Sequence, residues 1–231
     1  ENKKGGQIDA VEWQKSLQYI ADTKGNRCIQ VDFSATPYAQ RGKEKIYFPH
    51  IVTDFELERA IEKGYVKTIV LDERKELNVE ALDYKVIRDG RGRATDLSDG
   101  QRQMLRAGIA KLRLLENEFI QVDETKIPKM LVMCEDTEVV PLVADFLRME
   151  GIDDDDILEI HSNKKGEVGE DQWNEMKQKL FALDKYKKPR IVISVLMLRE
   201  GFDVNNICVI VPLRSSQSNI LLEQTIGRGL R

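Results

Sequence analysis

From residue 129 onward, short apolar runs rich in Val, Ile and Leu alternate with longer stretches of helical periodicity. The predicted strands and helices, in chain order, are 130–134, 137–150, 157–160, 170–183, 190–195, 207–211 and 218–226. Such an alternation is typical of βαβ crossovers, which build a parallel sheet covered on both faces by helices. The sequence therefore predicts an α/β fold with ligands at the carboxyl ends of its strands.

The first fifty residues predict a helix, a strand and a connecting segment. Apolar positions recur at helical spacing over 9–22, and 28–33 has the composition of a strand. The strand runs into Ser34, Ala35, Thr36 and Pro37, where the proline ends it. Residues 38–52 are expected to be irregular. We interpret this part as the end of an α/β domain.

The middle of the chain predicts two helices separated by a strand and a polar stretch. A helix is expected over 53–64, with Thr53 or Asp54 as its N-cap and Gly64 at its end. A strand is expected at 66–71. The polar stretch 72–97 contains Asp89-Gly-Arg-Gly-Arg93, which we interpret as a flexible basic surface loop that could touch phosphate. Ser98 is expected to cap a helix reaching about residue 119.

Composition excludes few functions. Hydrophobic residues make up 41% and charged residues 33% of the 231 positions, as in ordinary globular proteins. The net charge of −4 does not announce nucleic-acid binding, although an acidic protein can still carry a basic groove. The apolar runs are far shorter than the roughly 20 residues that span a bilayer. We expect a cytoplasmic protein with no membrane partner.

Neither the cysteines nor the acidic run predicts a metal site. Cys28, Cys134 and Cys208 each lie in an apolar stretch, without a Cys or His at metal-ligand spacing. They are expected to be small buried hydrophobes. The run of four aspartates at 153–156 is expected to be a solvated turn, because it has no spaced partner ligands.

Three short motifs carry candidate chemistry. Ser34 to Thr36 place hydroxyls at a strand end, although the same residues are also a common turn. Gly201 permits a close backbone approach and Asp203 can accept hydrogen bonds from a ribose or an arginine, although this segment too could be only a turn.

The third motif is Gln224-Thr-Ile-Gly227-Arg228-Gly-Leu-Arg231. Gln224, Arg228 and Arg231 fall on one face if the helix continues. Guanidiniums are planar, permanently charged and rich in donors, which suits a polyphosphate. The alternative is a helix end whose cations favour the helix dipole. The order of all three motifs on a βα alternation favours function.

Together these motifs resemble those of superfamily 2 helicases and translocases. The segments 34–36, 129–134, 194–203 and 224–231 are similar to motifs III, IV, V and VI. More narrowly, 53–65, 197–204 and 224–231 resemble the restriction subunit of type III restriction–modification enzymes. The resemblance covers nearly the whole chain. It implies a RecA-like sheet of the P-loop NTPase type, with the end of a first domain at 1–47 and a second helicase domain at 48–231.

The resemblance also implies roles for individual residues around ATP and Mg²⁺. Arg228 and Arg231 match arginines that reach the triphosphate, and Gln224 matches a residue that ties motif VI into the cleft. The remaining matches are nucleotide contacts at Gly201, Asp203 and Gly227, coupling residues at Ser34, Ala35 and Thr36, and nucleic-acid contacts at Ser194, His161 and Ser162.

The chain departs from the superfamily pattern in three respects. It has no Gly-x-x-x-x-Gly-Lys-[Ser/Thr] phosphate loop, no Asp-Glu box and no nuclease signature. Ser194-Val-Leu stands where motif V commonly carries a threonine. We therefore expect a piece of a larger motor that is inactive alone, with Mg²⁺ held mainly by residues outside it.

The implied function is ATP-driven movement on double-stranded DNA before cleavage by a type III restriction enzyme, with a modification methyltransferase subunit as partner. Two alternatives stay open. One is another superfamily 2 DNA or RNA helicase, distinguished by the lack of a nuclease cluster elsewhere in the protein. The other is a non-catalytic module that binds nucleic acid or a partner protein, whose function would not depend on both motif VI arginines.

Overall fold

The structure is a computed structural model that describes residues 2–4, 7–9, 12–23, 29–34, 37–41, 44–70, 82–160, 183–195, 204–213 and 227. The chain divides into two compact units, Glu1–His50 and Ile51–Arg231. Whether the first unit belongs to a preceding RecA-like domain stays a prediction. None of the described helices is both long enough and apolar enough to cross a membrane.

The described residues of the first unit form one helix and two antiparallel strand pairs. Its elements are β1 (Asn2–Lys4), β2 (Gln7–Asp9), α1 (Glu12–Thr23), β3 (Tyr38–Arg41) and β4 (Glu44–Tyr47). The helix predicted over 9–22 is confirmed. The strand predicted at 28–33 is wrong for the described residues 29–34, which pair with no strand. Phe33 is 94% exposed, so no neighbour buries the apolar side of this segment.

The prediction of an irregular segment over 38–52 is wrong in its first part. Residues 38–47 form the β3–β4 pair, in which Tyr38 lies opposite Tyr47 with 5.5 Å between ring centroids. The Lys45 ammonium lies 4.5 Å from the centre of the Tyr38 ring. Cross-strand aromatic and cation–π contacts of this kind stabilise a hairpin.

The second unit is built around a four-stranded parallel sheet. Its elements are α2 (Leu57–Glu62), β5 (Ile87–Arg88), β6 (Ala94–Asp96), α3 (Asp99–Val122), β7 (Lys129–Cys134), α4 (Val139–Met149), β8 (Ile157–Ile160), β9 (Ile191–Val195) and β10 (Ile207–Pro212). The order across the sheet is β10-β7-β9-β8 with every pair parallel. The predicted α/β fold is confirmed.

Both faces of this sheet are buried. On one face Met130, Val132 and Cys134 of β7 pack with the apolar sides of α3 and α4. On the other face Leu131 and Met133 pack with residues from β8, β9 and the turns before β9 and β10. The helices predicted at 170–183 and 218–226 fall almost wholly outside the described residues. Burial on both faces explains why the strands are continuous apolar runs rather than alternating ones.

The start of α3 is fixed by a capping box, which confirms the predicted cap at Ser98. The Ser98 hydroxyl accepts from the Gln101 N–H, and the Gln101 side chain accepts from the Ser98 N–H. Such reciprocal bonds satisfy two donors that a helix start leaves free. The Gln101 amide also donates to the Leu213 carbonyl at 3.4 Å, which links α3 to the end of β10.

The segment before the sheet differs from its prediction. The helix α2 begins only at Leu57, and its N-cap Glu56 makes no side-chain capping bond, so the predicted caps at Thr53 and Asp54 are wrong. Gly64 does end it, with φ of +69°. Residues 66–70 form no strand. Instead, Lys67 uses its side chain to reach the turn before β10.

Close packing of α3 on the sheet is tested by replacing Gly108 with valine. A Cβ at this position would lie 2.5 Å from Val211 Cγ2 and 2.9 Å from Met130 Sδ. We expect a loss of about 2–3 kcal/mol in the free energy of unfolding, measured by urea denaturation, because the helix must move off the strands. Ala110→Val on the exposed face of the same helix is the matched control. Equal losses in the two variants would contradict this packing.

Candidate functional site

The order of the strands defines a topological switch point between β7 and β9. After β7 the chain crosses to β8 on one side, and after β9 it crosses to β10 on the other side. Because parallel crossovers share one hand, connections that run in opposite directions pass over opposite faces of the sheet. Two neighbouring strands whose connections part in this way leave a crevice outside their carboxyl ends, where ligands of open α/β sheets bind.

The loop after β7 places carboxylates at the carboxyl end of that strand. Glu135, Asp136 and Glu138 lie between β7 and α4. Asp136 Oδ1 accepts from the backbone N–H of Glu138 at 2.9 Å and of Val139 at 3.2 Å. The carboxylate thus accepts hydrogen bonds from the first turn of α4, where the positive end of the helix dipole stabilises its negative charge.

Arg88 of β5 binds the same carboxylates from outside the sheet. Its guanidinium donates to Glu135 and to Asp136 and lies 3.9 Å from Glu138. These hydrogen bonds, first to Glu135 and then to Asp136, raise the pKa of Arg88. The β5–β6 pair is thereby held beside the carboxyl end of β7. Sequence analysis missed this contact because 47 residues separate Arg88 from Glu135.

Ser194 is the predicted nucleic-acid residue that the structure places at this edge. It is the penultimate residue of β9, lies beside Met133 of β7 and is 1% exposed. Its hydroxyl oxygen is one of two buried side-chain atoms, within the described part of the chain, that lack a hydrogen-bond partner. A buried hydroxyl left without a partner costs about 1–3 kcal/mol, so its retention calls for an explanation such as a ligand.

The other predicted site residues are not brought together by the described part of the chain. Ser34 is exposed in the first unit. Gly227 is helical and exposed, with no atom within 4 Å of the position that a Cβ would take. The residues that lie outside the described ranges are Ala35, Thr36, His161, Ser162, Gly201, Asp203, Gln224, Arg228 and Arg231.

The amino end of the sheet is held by Lys129, which sequence analysis did not single out. Lys129 is fully buried, and its ammonium donates to the carbonyls of Tyr186, Lys187 and Pro189 at 2.7–2.8 Å. Burial lowers the pKa of Lys129 to about 8. All three of its donors are in use, so this lysine has a structural role. In the sequence, this structural role is indicated only by the presence of a lysine at the start of an otherwise apolar strand.

The turn before β10 is also anchored at this end. The Asp184 carboxylate accepts from the backbone N–H groups of Asn205 and Asn206 at 2.9 Å each. Lys67 donates to the carbonyl of Asn205 and to that of Ile207, the second at 2.9 Å. Burial lowers the pKa of Lys67. These contacts fix the chain at residues 205–207, directly after the buried Val204.

The acidic run at 153–156 is only partly the solvated turn that was predicted. Asp154–Asp156 form a 3-10 turn, and Asp156 is 2% exposed. Its carboxylate lies 2.7 Å from the Arg190 guanidinium, which also bonds Glu116. The prediction is wrong for Asp156 because Arg190 offsets the cost of burying a charge. No group of three or more His, Cys, Asp or Glu residues able to hold a metal occurs among the described ranges.

Burial makes Cys134 a poor nucleophile. The side chain is 1% exposed, and desolvation raises the pKa of its thiol to about 12. Cys208, half-buried in β10, also has a raised pKa because of burial. The interpretation as small buried hydrophobes is confirmed for Cys134, whereas Cys28 lies outside the described residues.

Comparison with known proteins leaves the chain without an assigned family: no family model matches it, and no curated protein is significantly similar to it.

Proposed function

We propose that this chain is the second RecA-like domain of a superfamily 2 motor that hydrolyses ATP and moves on duplex DNA. The observation that carries the proposal is the adjacency of β7 and β9 at the switch point. The segment that contains Gly201 and Asp203 leaves β9 at that point and ends in the anchored turn before β10. Its start therefore lies where open α/β sheets bind ligands.

The Ser194 hydroxyl supports the same proposal. It is buried, lacks a hydrogen-bond partner in the described part of the chain and sits at the carboxyl end of β9. Because the side chain is 1% exposed, this donor meets a phosphate acceptor of the nucleic-acid backbone, in the proposal, only when the chain around it moves. The residues that follow the strand and those in 161–162 belong, in the proposal, to the same nucleic-acid contact.

Two arginines perform the catalytic part of the proposed function. Arg228 and Arg231 deliver guanidiniums to the triphosphate from this domain, with Gln224 and Gly227 holding their segment in the cleft. Because charge builds up on the γ-phosphoryl oxygens in the transition state, an arginine supplied in this way contributes roughly 10³–10⁵ in rate. Ser34, Ala35 and Thr36 couple hydrolysis to movement.

The phosphate loop and the Mg²⁺ ligands come, in this proposal, from another RecA-like domain. The sequence has neither the phosphate loop nor the acidic box. Residues of that other domain would hold Mg²⁺, which would neutralise the charge of the phosphates. The further proposal that the motor is a type III restriction enzyme, with a methyltransferase subunit as partner, rests on the sequence resemblance.

The function is tested by comparing ATP hydrolysis by the 231-residue chain with hydrolysis by the protein that joins it to a phosphate-loop domain. We expect no turnover by the chain alone, because no group in it matches a phosphate loop. We expect turnover that rises with duplex DNA in the longer protein. DNA binding without any hydrolysis in the longer protein would favour a non-catalytic binding module instead.

A further inference from the structure

The β5–β6 pair carries a basic tip, defined here as residues 89–93, beside the carboxyl end of β7. Arg91 and Arg93 on this tip are exposed. Their side chains have no carboxylate partner in the part of the chain that the structure describes. Two guanidiniums are therefore presented to solvent at the same edge of the sheet as the switch point.

The tip is closed by its own hydrogen bonds and is the exposed surface loop that the sequence predicts. Asp89 Oδ1 accepts from the backbone N–H of Arg91 at 2.8 Å and of Arg93 at 2.9 Å. The backbones of Asp89 and Arg93 also bond at 2.9 Å, and Gly92 provides the φ of +77° that the turn requires. A fixed tip loses little conformational entropy when it binds.

The carboxylates around the tip are already engaged. Glu135 and Asp136 bind Arg88 at the base of the pair. Glu138 Oε2 accepts from the backbone N–H of Ala94 at 3.0 Å, and Asp89 is occupied by the tip itself. Each of these carboxylates therefore has a hydrogen-bond donor within the fold, and Arg91 and Arg93 are the cations of the tip that are not used in these bonds.

Gly90 has no role in the fold that would require glycine. A Cβ at this position would meet no atom within 4 Å, and Gly90 is not among the glycines with positive φ. Glycine also serves where a ligand must approach the backbone closely. The open space around Gly90 and Gly92 leaves the backbone of the tip accessible from outside.

We infer that the basic tip is a contact for the phosphate backbone of duplex DNA. Guanidiniums form paired, charge-assisted hydrogen bonds with phosphate oxygens, and a contact of this kind positions nucleic acid without reading its sequence. The tip lies beside the carboxyl end of β7, to which Arg88 at its base is bound. The choice of DNA among polyanions rests on the proposed motor function.

The test is the affinity of the 231-residue chain for a short random-sequence duplex, measured by fluorescence anisotropy over a range of salt concentrations without ATP. The variant is Arg91→Gln with Arg93→Gln. The control is Arg113→Gln with Lys126→Gln, which removes the same charge from exposed positions near the other end of α3. Urea denaturation confirms that both variants fold as the wild type does.

Loss of two phosphate contacts is expected to reduce the slope of log K against log salt by about 1.8 and to weaken binding roughly 60-fold near 0.1 M salt. The control is expected to retain most of its affinity. Equal losses in variant and control would overturn the inference and leave the proposed ATPase function untouched. It would also be overturned if the chain bound polyglutamate but no duplex, which would identify an acidic protein as the partner.

Discussion

Replacing Arg231 with alanine is expected to lower ATP turnover by roughly 10³–10⁵-fold in the protein that contains both RecA-like domains. The same loss is expected for Arg228→Ala. In the proposed cleft these guanidiniums meet the γ-phosphoryl group most strongly when its charge spreads in the transition state. Interactions that strengthen only at that point change the rate and not the affinity for the ground state. The affinity for ATP, measured with a fluorescent nucleotide analogue, should therefore change little.

The matched control is Arg113→Ala, which removes an exposed arginine from α3. We expect its turnover to equal that of the wild type. Arg231→Lys separates charge from geometry, because a lysine keeps the charge but lacks the planar fork of donors. If ATP binding falls as much as turnover in Arg231→Ala, the arginine binds the ground state, and its assignment to transition-state stabilisation is wrong.

Replacing Lys129 with methionine is expected to lower the free energy of unfolding by about 3 kcal/mol, measured by urea denaturation. The ammonium is the shared donor for the carbonyls of Tyr186, Lys187 and Pro189. Methionine fills a similar volume but donates nothing, so the three carbonyls lose their partner. Lys126→Met, at an exposed position shortly before β7, is expected to change stability little.

The contribution of the Lys129 charge is isolated by comparing the free energy of unfolding of the wild type and of Lys129→Met as a function of pH. The pKa of Lys129 is about 8 in the folded protein, below its ordinary value of 10.5. Between these two values the unfolded chain binds more protons at this site than the folded protein does. The free energy of unfolding of the wild type, minus that of Lys129→Met, should therefore rise as the pH rises from 8 toward 10.5. A difference that falls over this window would contradict the lowered pKa.

The sequence predicts the parallel sheet well because the signals for it are local. Each of the strands β7 to β10 is a short apolar run, and periodicity within a run does not depend on distant residues. The start of α3 is equally local, because Ser98 and Gln101 are three residues apart and bond each other. Strands and helix starts that depend on residues close together in the sequence can be predicted from those residues alone.

Elements that depend on distant partners were not predicted. The β5–β6 pair is held by Arg88 through carboxylates that follow β7, and Lys67 reaches a carbonyl that is 140 residues further along the chain. Residues 29–34 show the opposite error, since their apolar side chains have the composition of a buried strand but lie exposed. In both cases the composition of a segment does not reveal which residues from distant parts of the sequence pack against it.

Of the candidate site, the sequence places Ser194 at a strand end, and the structure shows that it is buried beside the switch point. The structure adds Arg88 and the basic tip, which the sequence had marked only as a loop that could touch phosphate. Charge alone does not show which arginines are paired. Arg88 is bound by carboxylates, whereas Arg91 and Arg93, which belong to the same basic stretch, have no carboxylate partner among the described residues.

In the proposed motor this domain supplies an arginine to ATP hydrolysis that duplex DNA stimulates. The decisive measurement is steady-state ATP hydrolysis of the two-domain protein, with and without duplex DNA, for the wild type beside Arg231→Ala. We expect DNA to stimulate the wild type and the variant to show almost no turnover under either condition. DNA-stimulated hydrolysis that persists unchanged in Arg231→Ala would contradict this role of the arginine.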